Sequence, residues 1–263
     1  MRYFAALLLG SILFFSCKKN DSTPAFRPQL ISITDSAPVY NYFLLRSTQL
    51  ADSTDNTVQT QALATFLDQN GNAVPIHSIS INGREMGHNS NNTLSINYID
   101  SANLLQEGKA FAGTSVRVNI AGDDASDTAT RFVYLPKRLV DHSSQFLDSP
   151  IHAGTNIPLT WNTDAMNSLG VTIQVIYDAA TSVQNNPLLP TQLDPITYRV
   201  ADSGKFTIPG SDLLYFPIGS FVSVRIARVS EIKNVLPGSK KVVYYWGISD
   251  ISSPSVFINA PVQ

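Results

Sequence analysis

The stretch VTIQVIY, residues 171–177, is the part of the sequence that most clearly indicates the fold. Its apolar side chains recur at every second residue, at Val171, Ile173, Val175 and Tyr177. Period-two alternation is typical of a β-strand, in which successive side chains point to opposite faces. Because the same pattern returns on both sides of this stretch, the sequence predicts an all-β fold.

Short alternating runs fill most of the chain on either side of this strand, and turn signals such as Asn82-Gly83 separate them. About seven strands fit in each half, with turns every 8 to 12 residues, and this spacing is typical of β-sandwiches. We therefore predict two tandem immunoglobulin-like β-sandwich domains. Helical turns are expected only near Ser101–Glu107 and Ser211–Tyr215. The other predicted strands are Leu30–Thr34, Val39–Leu45, Thr57–Leu67, Ile79–Ile81, Leu94–Tyr98, Val116–Ile120, Phe132–Leu135, Ile157–Trp161, Ile196–Val200, Phe206–Ile208, Phe221–Val229, Val242–Ile248 and Val256–Ile258.

The sequence divides into five predicted segments. Residues 1–16 are predicted to be a signal peptide, and residues 17–29 a cysteine followed by a polar, proline-containing tether. The first sandwich domain is predicted at 30–137 and the second at 151–263. Between them, residues 138–150 form a predicted connector that is polar and ends in proline.

Composition limits the classes of protein to which the chain can belong. Of its 263 residues, 43 % are hydrophobic and 14 % are charged, which is enough apolar material for a core and unlike a disordered chain. The net charge is −2, so the chain has no basic surplus with which to neutralise phosphates, and a nucleic-acid partner is not expected. A single cysteine allows neither an intrachain disulfide nor a cysteine-based zinc site.

The N-terminus has the pattern of an export signal. One positive charge precedes the apolar run Tyr3–Phe15, which is shorter than the roughly 20 residues of a membrane-spanning helix. The sole cysteine, Cys17, follows Ser16 directly. The run FFSCKKND resembles the lipoprotein signals common in the Bacteroidota.

This resemblance implies that Cys17 becomes the first residue after cleavage and carries fatty acyl chains such as palmitate. Two or more acyl chains are needed for stable anchoring, and a lipoprotein cysteine supplies them. The expected location is the cell envelope, at the outer membrane, with the periplasmic and the surface orientation both left open. The membrane is then a partner through the lipid.

The sequence has no motif that groups reactive side chains. The four histidines are far apart, and neither a zinc-hydrolase motif nor a G-x-S-x-G elbow occurs. We therefore expect no catalytic residues, no cofactor and no enzymatic activity. A carboxylate-dependent hydrolase is kept as the least favoured alternative, because folding alone brings such carboxylates together.

One acidic loop is a weak candidate for a metal site. Asp123, Asp124 and Asp127 place three carboxylates within five residues at the end of a predicted strand. Carboxylate oxygens suit a hard cation such as Ca²⁺. A solvated acidic loop is the favoured interpretation, and no metal is predicted.

Aromatic residues are the candidates for a ligand surface. Tyr244, Tyr245 and Trp246 are consecutive, and exposed rings on a sandwich can stack on sugars, whereas buried rings fill a core. Because neighbouring strand residues alternate, at least one of these rings must point away from Trp246. Tyr40–Phe43 is a second aromatic run of this kind, and Trp161 is predicted to be a core residue.

A short motif recurs five times, in which Asp is followed by Ser or Thr and then by a small apolar residue or Thr. It resembles the O-glycosylation acceptor motif of extracytoplasmic Bacteroidota proteins. Asp-Ser and Asp-Thr pairs are also good turn and capping residues, and that interpretation stays open. The candidate glycosylated residues are Ser22, Ser36, Ser53, Ser101 and Thr128.

Together these features predict a lipid-anchored, non-catalytic cell-envelope protein. Its β-sandwiches are expected to present binding or adhesion surfaces to a glycan or an envelope protein, because binding residues commonly lie on loops of a rigid scaffold. The candidate loops are Ser182–Pro195 and Asn82–Thr93. The alternative is a structural spacer or assembly subunit of an outer-membrane complex.

Overall fold

A computed structural model describes residues 41–50, 58–67, 76–90, 93–98, 102–122, 128–140 and 150–261. This part of the chain is mostly β, which confirms the predicted all-β class. Its helices are α1 (Ala102–Ala110), α2 (Ala179–Asn185) and α3 (Gly210–Leu213). Its strands are β1 (Asn41–Leu50), β2 (Val58–Phe66), β3 (Ser78–Ile81), β4 (Arg84–Glu85), β5 (Gly87–His88), β6 (Leu94–Asn97), β7 (Thr114–Ala121), β8 (Ala129–Leu135), β9 (Ile151–His152), β10 (Ile157–Thr160), β11 (Val171–Tyr177), β12 (Ile196–Val200), β13 (Lys205–Ile208), β14 (Phe221–Val235), β15 (Val242–Ser252) and β16 (Val256–Asn259).

One large sheet runs through both halves of the chain. Its strand order is β12-β11-β14-β15-β1-β2-β6-β5, and β16 and β9 extend it beside the first part of β14. Most neighbours are antiparallel, but β1 pairs with β15 in parallel from Tyr42 opposite Tyr244 to Leu50 opposite Ser252. The strand nearest the N-terminus among those described is therefore a central strand, beside one of the last.

Two long strands connect the halves. β14 has 15 residues and β15 has 11, well beyond the usual five or six. Their antiparallel pairing runs from Arg225 opposite Ser252 to Val235 opposite Val242. On its outer edge β14 pairs with β11 through Val222–Arg228, and on the other edge of the pair β15 pairs with β1 through Tyr244–Ser252. β14 itself continues to Val235, six residues beyond the predicted end of this strand.

Two smaller sheets pack on one face of the large sheet, which we call the core face. The sheet β4-β3-β7-β8 encloses the first core, in which Phe43 and Tyr245 of the large sheet meet residues such as Val118. The sheet β10-β13 helps enclose the second core, in which Ile173 and Ile226 meet residues such as Leu159. Each half is thus a two-layered arrangement with its own core.

The division of the chain differs from the prediction. The strands of the predicted domains at 30–137 and 151–263 belong to one hydrogen-bonded sheet. Val243 and Tyr245, from the second predicted domain, are buried in the first core. Burial of apolar area drives this sharing, since β14 and β15 are long enough to contribute to both cores.

A buried polar cluster joins the halves on the core face, between the two apolar cores. Arg228 is fully buried and donates from Nε to Asp202 at 2.7 Å, and from its terminal nitrogens to the backbone carbonyls of Lys137 and Asn162. The Trp161 indole also donates to Asp202, at 2.9 Å. The buried guanidinium is thus paired with a carboxylate and hydrogen-bonded to two carbonyl oxygens. Such partners are needed because a charge loses its hydration when it is buried.

The second contact at this junction comes from β8. Tyr134 donates its hydroxyl to the Asp164 carboxylate at 2.8 Å, and burial together with this bond raises the pKa of Tyr134 to about 12. The Tyr134 carbonyl accepts a bond from the Ser230 hydroxyl and lies against Gly247, where a Cβ would be only 2.0 Å from the carbonyl oxygen. A side chain at position 247 would therefore separate β8 from the large sheet.

Candidate functional site

The face of the large sheet away from these cores, which we call the opposite face, carries a third apolar cluster. Trp246 is its centre, with ring centroids 5.8 Å from Tyr42 and 5.7 Å from Tyr244. The Trp246 indole donates to Glu231 at 2.8 Å, which satisfies its one polar group. Its buried members are Tyr42, Leu44, Ala227, Val229, Tyr244, Trp246 and Ile248.

The prediction that Tyr244, Tyr245 and Trp246 form an exposed ligand surface is wrong. Their exposed fractions are 5 %, 0 % and 0 %. The alternation of faces is confirmed, since Tyr245 lies in the first core while Trp246 lies on the opposite face. The rings are buried because they sit on β15, a central strand whose two faces both carry apolar clusters. Trp161 is 3 % exposed and is a core residue, as predicted.

Polar residues continue the opposite face beyond this cluster and converge on Asp250. Its carboxylate accepts from Arg46 Nε at 3.0 Å and from an Arg46 terminal nitrogen at 2.7 Å. Arg225 Nε donates at 2.8 Å from the other side, and the Thr48 hydroxyl donates at 3.0 Å. The strand register explains this meeting, because Thr48 and Ala227 lie directly opposite Asp250 on β1 and β14.

Electrostatics keep this carboxylate ionised. The Asp250 side chain is fully buried, and burial alone would raise its pKa, but the bonds and charges of Arg46 and Arg225 outweigh burial and lower the pKa. Burial lowers the pKa of Arg225 and the charge of Asp250 opposes this shift, while an arginine guanidinium stays protonated in proteins as a rule. Two guanidinium charges thus surround one carboxylate charge.

A pocket of about 270 Å³ opens on the opposite face next to this ion cluster. The side chains of Gln59, Gln61 and Asn97 are exposed there, and Arg46 is 36 % exposed. Register places Arg46, Gln61 and Asn97 side by side on three adjacent strands, β1, β2 and β6. The residues that line the pocket are Arg46, Thr48, Gln59, Thr60, Gln61 and Asn97.

The chemistry of this lining is that of hydrogen-bonding recognition. Amide side chains offer donors and acceptors together, a threonine hydroxyl offers both, and a guanidinium offers donors only. Asp250 is not poised for proton transfer, because its carboxylate is fully buried and already accepts bonds from two arginines and a threonine. The pocket therefore suits a small polyhydroxylated ligand.

The other predicted site residues have varied outcomes. Thr128 is exposed immediately before β8, as a glycosylated residue would have to be. Cys17, Ser22, Ser36, Ser53 and Ser101 lie outside the described residues, as does the acidic loop of Asp123, Asp124 and Asp127. Among the residues that the structure describes, no group of three or more histidine, cysteine, aspartate or glutamate side chains is placed to hold a metal ion.

The two candidate loops differ in structure. Ser182–Pro195 begins inside the helix α2, and Asp178, the residue before this helix, caps it by accepting from the Thr181 amide at 3.0 Å. Ser182 itself is fully buried, and Leu188 is 93 % exposed. The Asn82–Thr93 segment contains the short strands β4 and β5, and Asn82 and Gly83 have the positive φ values of the predicted hairpin turn.

The sequence carries a signal for one strand of the pocket, the alternation of polar residues along β2. β2 reads VQTQALATF, and its burial alternates strictly from Val58, so that Gln59 and Gln61 point away from the core. This alternation shows that one face of β2 is polar, but it does not show which strands lie beside β2. Arg46 and Asp250 are 204 residues apart in the chain, and only the parallel pairing of β1 with β15 brings them together.

The sequence matches no known family model or curated protein at a significant level. Within the described residues, no helix combines the length and hydropathy needed to cross a bilayer.

Proposed function

We propose that the protein is a lipid-anchored, non-catalytic cell-envelope protein that binds a glycan through the pocket on the opposite face. The pocket carries this proposal, since its exposed side chains are two glutamines, an asparagine and an arginine on adjacent strands. Sugar hydroxyls both donate and accept hydrogen bonds, so amides match them well. The two β-layered halves act as immunoglobulin-like modules that hold the pocket rigidly.

The pocket size sets the ligand size and the affinity. At about 270 Å³ it lies just below the range of about 300–1,000 Å³ that is typical of small-molecule sites. It therefore holds one sugar unit of a longer chain. With roughly 12 non-hydrogen atoms at about −0.3 kcal/mol each, one unit gives about −4 kcal/mol, which corresponds to a Kd of about 1 mM.

The anchor and the location rest on the sequence. Cys17 is the proposed lipidated residue, the outer membrane is the proposed site, and Thr128 is the proposed O-glycosylation site that is exposed in the described part. Intact-mass measurement of the mature chain tests the anchor: we expect an acylated N-terminal cysteine, and Cys17→Ser should abolish acylation and leave the signal peptide attached.

A glycan array tests the binding function. The soluble form that starts at Ser22 is applied to the array, and its hits are titrated by calorimetry. Gln61→Ala should weaken binding about fivefold or more, because the loss of one polar contact costs about 1 kcal/mol. Gln106→Ala is the matched control, since Gln106 is also exposed but lies on α1 and does not line the pocket. Absence of any glycan hit would refute the proposal.

A structural spacer is the second candidate, and one observation favours it. The large sheet continues through both halves, which makes a stiff body between the membrane and any partner. Purification from intact membranes distinguishes the two: a stoichiometric outer-membrane protein that stays bound in Gln61→Ala would favour the spacer. A carboxylate-dependent hydrolase is the weakest candidate, because Asp250 beside the pocket is already bound by two arginines.

A further inference from the structure

The charge of the pocket lining suggests a finer specificity. Arg46 is the one charged side chain among the six lining residues, and the other five are neutral. The carboxylate that Arg46 bonds, Asp250, has a side chain with 0 % exposure. Among the described residues, a ligand in the pocket thus meets a guanidinium directly, while the carboxylate bonded to it is buried.

The bonds of Arg46 leave part of its guanidinium open to a ligand. A guanidinium has five N–H donors, and Asp250 takes one from Nε and one from a terminal nitrogen. The other N–H groups make no hydrogen bond within the described part of the chain, 36 % of the side chain is exposed, and Arg46 lines the pocket. A planar fork of this kind binds carboxylates through paired hydrogen bonds.

Because a second arginine also pairs with Asp250, this carboxylate does not fully compensate the charge of Arg46. Arg225 Nε lies 2.8 Å from the same carboxylate, and an Arg225 terminal nitrogen lies 2.6 Å from it. Two cations therefore share one anion, and the cluster of three side chains keeps a net charge of +1. Arg225 also holds Asp250 in place, so that Arg46 does not have to supply that role alone.

We propose that the pocket selects a saccharide bearing a carboxylate, with Arg46 binding the carboxylate and the Gln59, Gln61 and Asn97 amides binding the hydroxyls. This proposal rests on the proposed glycan-binding function. It names Arg46 as the residue that determines specificity, and the amides as residues that contribute to the binding of acidic and neutral sugars alike.

The test compares one ligand in charged and neutral forms. Tetragalacturonate and its fully methyl-esterified form are titrated into the soluble protein by calorimetry at low and at high salt. The wild type should bind the acid about fivefold more tightly than the ester at low salt, and added salt should reduce this preference. Gln61→Glu places a carboxylate beside Arg46 without removing a structural contact, and it should abolish the preference. Gln106→Glu, which adds the same charge at an exposed position outside the pocket lining, should preserve it.

Arg46→Gln is the second variant, and its unfolding midpoint is measured so that a loss of folding is recognised. A folded Arg46→Gln protein should bind acid and ester equally. Equal binding of acid and ester by the wild type would overturn the acidic specificity and leave the glycan-binding function standing, as would neutral hits alone on the array. Failure of every glycan to bind would overturn both.

Discussion

Leu45→Ala tests whether the two halves of the chain are one folding unit. Leu45 is fully buried in the first core and lies opposite Ala62 on β2 and Gly247 on β15. Small neighbours cannot fill the space that the lost side chain leaves, so the free energy of unfolding should fall by about 3 kcal/mol. With a denaturant slope of about 2.5 kcal/mol per molar urea, the unfolding midpoint should fall by about 1.2 M.

The two tryptophans provide local probes of this effect. Trp161 lies in the second core and Trp246 on the opposite face, near β1. Trp161→Phe and Trp246→Phe each leave one fluorophore, and Leu45→Ala is introduced into both backgrounds. Because β14 and β15 contribute to both cores, both fluorescence transitions should shift by the same amount as one cooperative step.

Independent shifts would contradict this reasoning. If the Trp161 transition keeps its midpoint while the Trp246 transition moves, the halves unfold separately despite the shared sheet. Ile173→Ala, at a fully buried position in the second core, is the reciprocal variant. It should lower both midpoints as Leu45→Ala does, and a shift confined to Trp161 would refute the coupling from the other side.

Three further predictions concern the junction between the halves, and urea unfolding measures each. Gly247→Ala should destabilise the fold by about 3 kcal/mol, since its Cβ would lie 2.0 Å from the Tyr134 carbonyl oxygen. Gly87→Ala is the control and should be nearly neutral, because the atom nearest to its Cβ would be 3.6 Å away. Arg228→Met should lower the free energy of unfolding by about 3–5 kcal/mol, and adding Asp202→Asn should cost less than the two single changes summed. Burial alone would raise the pKa of Asp202, but its hydrogen bonds, from Arg228 first, lower it below the ordinary 3.8. Its contribution is therefore complete above pH 3.8 and is lost as the pH falls through the lowered pKa, so Asp202→Asn should flatten the acid limb of the stability profile.

Each of these predictions has a clear contrary result. Equal losses for Gly247→Ala and Gly87→Ala would mean that β8 does not need close contact with the sheet. Strict additivity of Arg228→Met and Asp202→Asn would mean that the buried pair is not coupled. An unchanged acid limb in Asp202→Asn would assign the acid sensitivity to other carboxylates.

The strands were predictable because local alternation defines them. Runs such as 116–120 and 171–177 keep strict period-two patterns, and the structure has strands at both. The turn at Asn82-Gly83 was predictable for a local reason as well, since both residues adopt positive φ. α1 and α3 formed where helical turns were expected.

The missed features depend on contacts that are distant in sequence. α2 escaped prediction because seven residues are too few to show a helical stripe, although the Asp178 cap was a usable signal. The shared sheet depends on the parallel pairing of β1 with β15, about 200 residues apart, which alternation alone cannot specify.

The candidate site was missed for a related reason. Aromatic residues are the visible candidates in the sequence, but those on β15 are buried because this strand is central and carries apolar clusters on both faces. Polar residues on single strands looked like ordinary surface. Only their arrangement side by side on β1, β2 and β6 makes a pocket.

The position of β1 has a mechanical consequence. It is bonded on both edges, through nine residue pairs with β15 and nine with β2. Since β1 and β15 run in the same direction, tension drawn between residue 41 and the segment after β15 pulls the two strands in opposing directions along their length. Such a load falls on all the pairs at once in shear rather than opening them one by one, so the molecule should resist stretching best when it is pulled from its two ends.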